Sequence, residues 1–131
     1  MRNPRITKKE QGLIKGSLRR VFSRSDLRRS VIEAAIIRHS DPSRKAVKTW
    51  CLCNECRKPE AKSYMVVDHV LPIVGIEETL DSMSWDELIN RLWCDISNLQ
   101  ALCEDCHKIK TKEENAARRK YKKLANNKPV K

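Results

Sequence analysis

Apolar positions in the N-terminal third recur at helical spacing. Leu13, Ile14, Leu18 and Val21 share one face behind Thr7-Lys8-Lys9-Glu10, which has the form of a capping box. The pattern predicts a helix from there to about Phe22. Ser25 can cap a second helix whose stripe is Leu27, Val31, Ala34, Ala35 and Ile37, ended by Asp41-Pro42-Ser43. The period then changes. Trp50-Cys51-Leu52-Cys53 predicts a short strand entering a tight turn, and the β-branched run Tyr64-Met65-Val66-Val67 predicts a strand that delivers Asp68-His69 and is closed by Pro72. Ser84-Trp85-Asp86-Glu87 is a second capping box, followed at helical spacing by Leu88, Ile89, Leu92 and Trp93. Asn98 to Leu102 predicts a second strand, and from Cys103 a polar helix extends to about Leu124.

These elements predict a small α+β fold in three parts. Residues 1–46 form a basic helical N-terminal segment, 47–125 the main domain, and 126–131 a basic tail. A chain of 131 residues with 5% aromatic and 34% charged residues has room for one thin core, which calls for a staple such as a metal. Met1 to Lys15 lacks the apolar run of a signal sequence, and no segment has the length of a membrane span, so the expectation is an intracellular protein with no membrane partner.

Charge narrows the choice of partner. The net formal charge is +11, and it is unevenly spread: residues 1–50 carry 14 Lys+Arg against 4 Asp+Glu, residues 51–100 carry 4 against 9, and residues 101–131 carry 10 against 4. Basic flanks around an acidic centre suit a polyanion gripped at the flanks and a cation held between them. Solvated helix faces would give the same totals, so charge alone does not decide.

The cysteines decide more. Cys53-x-x-Cys56 and Cys103-x-x-Cys106 have the spacing at which one tight turn presents two thiolates to a tetrahedral ion, and two such turns close a four-thiolate site. The expectation is a structural Zn²⁺ on Cys53, Cys56, Cys103 and Cys106. A redox pair would stand singly near a βαβ unit, which this chain lacks. Cys51 and Cys94 fall outside the pattern and read as small buried residues.

Two of the three histidines stand beside chemistry. Asp68 and His69 end an apolar strand, where adjacent side chains point to opposite faces. One can ligate a metal while the other faces the far side of a substrate. His107 directly follows a predicted thiolate ligand at a helix start, with Lys110 and Thr111 on its face. His39 has no such neighbours and reads as structural.

Val67-Asp68-His69-Val70-Leu71-Pro72 followed by Asn98-Leu99-Gln100-Ala101-Leu102-Cys103-Glu104-Asp105-Cys106-His107 resembles the HNH endonucleases, in the form D-H-x-x-P and then N-L-x-x-L-C-x-x-C-H. The resemblance covers roughly Trp50 to Glu113. It implies a ββα-metal finger with zinc knuckles, preceded here by the basic helical segment, and an enzyme that hydrolyses DNA phosphodiester bonds. It implies Asp68 and His107 as ligands of a catalytic divalent cation (Mg²⁺, alternatively Mn²⁺, Ni²⁺ or Zn²⁺), His69 as general base, and Asn98 as the residue that holds the hairpin loop and keeps His69 aimed. Many relatives carry histidine where this chain has Asp68, and Thr111 stands where some place a further histidine. Residues 75–97 exceed what the minimal motif needs. DNA is the expected partner, with Arg19, Arg20, Arg24, Arg28, Arg29, Lys108, Lys110 and Lys112 as candidate backbone contacts. The competing reading is a non-catalytic zinc-knuckle module that binds nucleic acid.

Overall fold

The computed structural model describes residues 3–79 and 82–127. Helix α1 (Lys8–Ser23) starts at a complete capping box. Thr7 Oγ1 accepts from Glu10 N, and Glu10 Oε1 accepts from Thr7 N, each at 3.1 Å. Two of the helix's unpaired terminal N–H groups are thereby satisfied. Ser25 caps α2 (Asp26–Ala34), its hydroxyl accepting from Arg28 N at 3.2 Å.

Here the first difference from the sequence pattern appears. α2 does not continue through Ile37, because Ile36–Ile37 forms β1, paired antiparallel with β2 (Trp50–Leu52). Adjacent β-branched residues favour a pleated surface over a helical turn. β3 (Pro59–Ala61), which the pattern does not predict, completes a sheet of order β1-β2-β3.

A second, two-stranded sheet pairs β4 (Met65–His69) with β5 (Leu99–Cys103) in antiparallel register, from Met65 opposite Cys103 to His69 opposite Leu99. Between them lie a loop and α3 (Trp85–Leu92), capped by Ser84. α4 (Glu104–Asn126) starts where β5 ends.

Side-chain alternation along these two strands divides the molecule. Met65, Val67, Leu99 and Ala101 turn to a core that also holds Phe22, Val31, Ile32, Cys51, Met83, Leu88 and Leu92. Asp68 and the opposed Gln100 turn to the other face, where α4 runs. Residues of α1 and α2 thus share one core with the strands that carry the candidate site. The expected apolar face of α1 is only partly used: Phe22 is buried and Leu18 packs against the core, while Leu13 and Val21 stay exposed. Ile32, outside the expected stripe of α2, is a core residue.

The stretch after β4 is tied down from both sides. Arg91 on α3 donates to Ile73 O at 2.9 Å and makes a two-pronged pair with Glu78, at 2.8 and 2.9 Å. Arg118 on α4 donates to Val74 O at 2.8 Å. Gly75 N reaches Glu78 Oε1 at 3.0 Å, and a Cβ at Gly75 would lie 2.5 Å from that oxygen. Among the described residues no helix is long and apolar enough to cross a membrane.

Candidate functional site

Cys53, Cys56, Cys103 and Cys106 bring their four sulfur atoms within 4.8 Å of one another, so this cluster can hold a metal ion. The first pair sits on the turn between β2 and β3, the second at the junction of β5 and α4. The turn is closed by Arg57 N bonding to Cys53 O at 3.0 Å and Cys53 N to Lys58 O at 3.1 Å. This closure places Arg57 at φ 60, in the left-handed region. Burial works to raise the Cys53 thiol, but backbone N–H groups of Cys103, Cys56 and Glu55 outweigh it and bring it to about 7. The Cys106 thiol is pushed up to about 12 by the hydrogen bond it shares with Cys103 and then by burial, and Cys103 is raised chiefly by burial. Four thiols this close cannot all ionise unaided, and a cation removes the conflict. A tetrahedral ion with sulfur at about 2.3 Å needs S···S separations of about 3.8 Å, inside the 4.8 Å within which these four sulfur atoms lie. Among the described residues it is the one group of three or more such side chains gathered tightly enough to share an ion.

Asp68, at the end of β4, lies between two side chains of α4. Its Oδ1 is 3.8 Å from His107 Nε2, and its Oδ2 is 3.0 Å from Lys110 Nζ. Lys110 also pairs with Glu114 and donates to His69 O at 3.1 Å. Burial disfavours the Lys110 ammonium, yet Glu114 and Asp68 more than offset this and hold its pKa above the ordinary lysine value. Lys110, expected as a backbone contact, is therefore turned inward and paired. Gln100, across the sheet from Asp68, donates to Asp68 Oδ2 at 3.2 Å, while its Oε1 accepts from Asn54 Nδ2 at 2.9 Å. Asn54 belongs to the Cys53–Cys56 turn, so a two-bond relay runs from the thiol cluster to the Asp68 carboxylate.

His69 turns the other way and is buried, with 9% of its surface exposed. Its Nε2 lies 2.9 Å from Leu92 O at the end of α3, and its ring packs on Phe22 with centroids 5.2 Å apart. Asn98 clamps the turn that follows: its Oδ1 accepts from Leu71 N at 2.9 Å and its backbone O from Val70 N at 2.8 Å. The stretch 75–97, which had no assigned role, thus supplies the carbonyl that holds His69. His39 stands apart, stacked edge-on against Trp50.

Asp68, His69 and His107 share a groove of about 1050 Å³ between α1, α4 and the loop after β4. Of the expected basic contacts, Arg19 and Arg28 line it. Arg20 donates to Ser17 Oγ at 2.9 Å and Arg29 pairs with Asp26 at 3.3 Å, both on exposed surface, and Arg24 is not among the groove residues. Lys108 and Lys112 line a hollow of about 380 Å³ beside His107 with Thr111, Asn115 and Arg119. Sequence reasoning passed over Gln100, Glu114, Lys15, Arg118 and the Leu92 carbonyl. Glu114 and Arg118 were within reach, since they continue the His107–Lys110–Thr111 face of α4 at helical spacing.

The chain matches no protein-family model, and neither a curated protein nor a solved structure is detectably similar to it.

Proposed function

We propose that this protein is a metal-dependent endonuclease of the HNH type, hydrolysing DNA phosphodiester bonds, with Cys53, Cys56, Cys103 and Cys106 holding a structural zinc. The observation that carries the reading is the pairing of two differently prepared groups on one groove. His69 is fixed through Nε2 by Leu92 O, while Asp68 and His107 converge from strand and helix to 3.8 Å.

An imidazole whose Nε2–H donates to a carbonyl keeps its lone pair on Nδ1. Nδ1 is then the atom that takes a proton from water as the phosphodiester is attacked. Asn98 restrains the chain immediately after His69, so the ring's aim does not depend on a free loop. Asp68 and His107 offer one oxygen and one nitrogen. Donors at about 2.1 Å from a common ion can be at most about 4.2 Å apart, so 3.8 Å fits a wide bite. The mixed donor set suits Mg²⁺, Mn²⁺, Ni²⁺ or Zn²⁺. Bound there, such a cation would act as a Lewis acid on the phosphate and the leaving 3′-oxygen. Arg19, Arg28, Lys108 and Lys112 flank the site and would hold the backbone by charge.

One observation favours a second reading, a non-catalytic zinc-knuckle module: Asp68 is already neutralised by Lys110 at 3.0 Å. Incubation of supercoiled DNA with the protein and each of Mg²⁺, Mn²⁺, Ni²⁺ and Zn²⁺ separates the two. The nuclease reading expects nicked or linear product with at least one metal and none with excess chelator. Intact DNA under every metal, with binding retained, would leave the binding module.

A further inference from the structure

Three cations from opposite ends of the chain line one stretch of the groove: Lys15 and Arg19 of α1, and Arg118 of α4. Lys15 and Arg19 are four residues apart, hence on one face of their helix. Among the described residues neither forms an ion pair. Arg118 is aimed by its bonds to Val74 O at 2.8 Å and Asn115 Oδ1 at 3.3 Å. Its nearest carboxylate, Glu114, is 3.9 Å away and is shared with Lys110. Burial lowers the Lys15 pKa, and the charges of Arg19 and Arg118 lower it further.

Lys8 and Lys9 at the start of α1 are exposed and outside the groove, whereas Lys15 is half-buried within it. Here two helices bring like charges together with one acid beside them, Glu114, which is 3.9 Å from Arg118 and already shared with Lys110, an arrangement that a further anion relieves. We infer that Lys15, Arg19 and Arg118 form a phosphate subsite, holding a backbone phosphate of a DNA strand whose scissile phosphate lies at Asp68 and His107. That the phosphate belongs to DNA rests on the nuclease reading. Arg118 lies eleven residues beyond His107 on α4, about 16 Å along the axis, while a DNA strand advances about 3.4 Å per phosphate. The two phosphates are therefore different ones, and the subsite fixes the course of the strand along the groove.

Arg118 also anchors the loop at Val74, so the test uses α1. The double variant Lys15→Gln/Arg19→Gln is compared with Lys8→Gln/Lys9→Gln, which removes equal charge from the same helix outside the groove. Binding of a short fluorescent DNA duplex is measured by anisotropy over a range of salt, with no divalent cation added. The groove variant should bind roughly 10-fold more weakly than the control pair at moderate salt, and its log–log salt slope should be shallower by about 0.9, the loss of one phosphate contact. Arg19→Glu should weaken binding further, with an unchanged circular dichroism spectrum. Equal affinity and slope for the two double variants would overturn the subsite and leave the nuclease reading standing. Failure of the wild-type chain to bind DNA would overturn the subsite as well. A weakened groove variant of a protein that leaves DNA uncut under every metal would uphold the phosphate contact at Lys15, Arg19 and Arg118 and sink the nuclease reading.

Discussion

A histidine ring pressed on Phe22 and hydrogen-bonded through Nε2 to a carbonyl has one tautomer open to it in its neutral form. On the nuclease reading proposed above, His69→Ala should lower cleavage by about 10² to 10⁴-fold, the usual worth of a positioned base, while zinc content and DNA affinity stay near wild type. Nicking at the wild-type rate would show that another group takes the proton. On the same reading, Gln100 acts through Asp68. With Asn54 fixing one end of its amide, its Nε2 holds Asp68 Oδ2 and leaves Oδ1 toward His107. Gln100→Leu should weaken Mn²⁺ affinity about 10-fold, as loss of a partner behind a ligand typically does, with zinc retained. An unchanged Mn²⁺ titration, followed by electron paramagnetic resonance, would remove Gln100 from the site. Arg57 makes the opposite kind of case. It sits at φ 60, a conformation that costs a side-chain-bearing residue about 1 kcal/mol or more, so Arg57→Gly should raise stability to denaturant by a comparable amount. At this scale the motif residues were legible because their types and spacing are chemically restrictive. The inward turn of Lys110 was not, since a helical period tells which face a lysine occupies but not that Asp68 and Glu114 wait there.

Elements were legible where a cap or a long period marks them. Thr7, Ser25 and Ser84 each accept from a backbone N–H in the first turn of α1, α2 and α3, as their side chains allow. Strands of two or three residues carry no usable period, so β1 and β3 emerge only through pairing with β2. The apolar face of α1 misled because Leu18 and Phe22 set the side turned to the core, with Phe22 against His69 and Trp93, leaving Leu13 and Val21 in solvent. The stretch between β4 and β5 was opaque for a different reason. Its order comes from tertiary bonds of Arg91 and Arg118 to Ile73 O and Val74 O, which leave no local signature. Arg91→Ala should therefore speed hydrogen exchange in residues 73–79 and leave zinc content untouched. Unaltered protection there would mean that Arg118 alone suffices to hold the loop.

On the scale of the whole molecule, the thiol cluster adds a cross-link between two sheets that also share a core through Cys51, Met65, Leu99 and Ala101. Cys53 and Cys56 belong to the turn of the three-stranded sheet, whereas Cys103 and Cys106 close the β4–β5 sheet and open α4. Other direct links at this junction are modest hydrogen bonds, such as Asn54 N to Ala101 O at 2.9 Å and Cys103 N to Cys53 Sγ at 3.3 Å. The core is thin, with 5% aromatic residues in the chain. A metal bound to the folded chain and not to the unfolded one contributes its binding free energy to stability. The purified protein should carry one zinc per chain, and stripping it should remove at least about 5 kcal/mol, lowering the melting temperature by roughly 20 °C for a domain of this size. Cys103→Ser should behave like the stripped protein. Cys51→Ser, outside the cluster though fully buried, should keep its zinc and lose only local packing. Because thiolates bind the metal and thiols do not, zinc release should become easier as pH falls, with protons competing for the same sulfur atoms. A chain purified without metal, melting at the same temperature with and without chelator and indifferent to Cys103→Ser, would show that the four sulfur atoms are gathered by the fold and do not gather it.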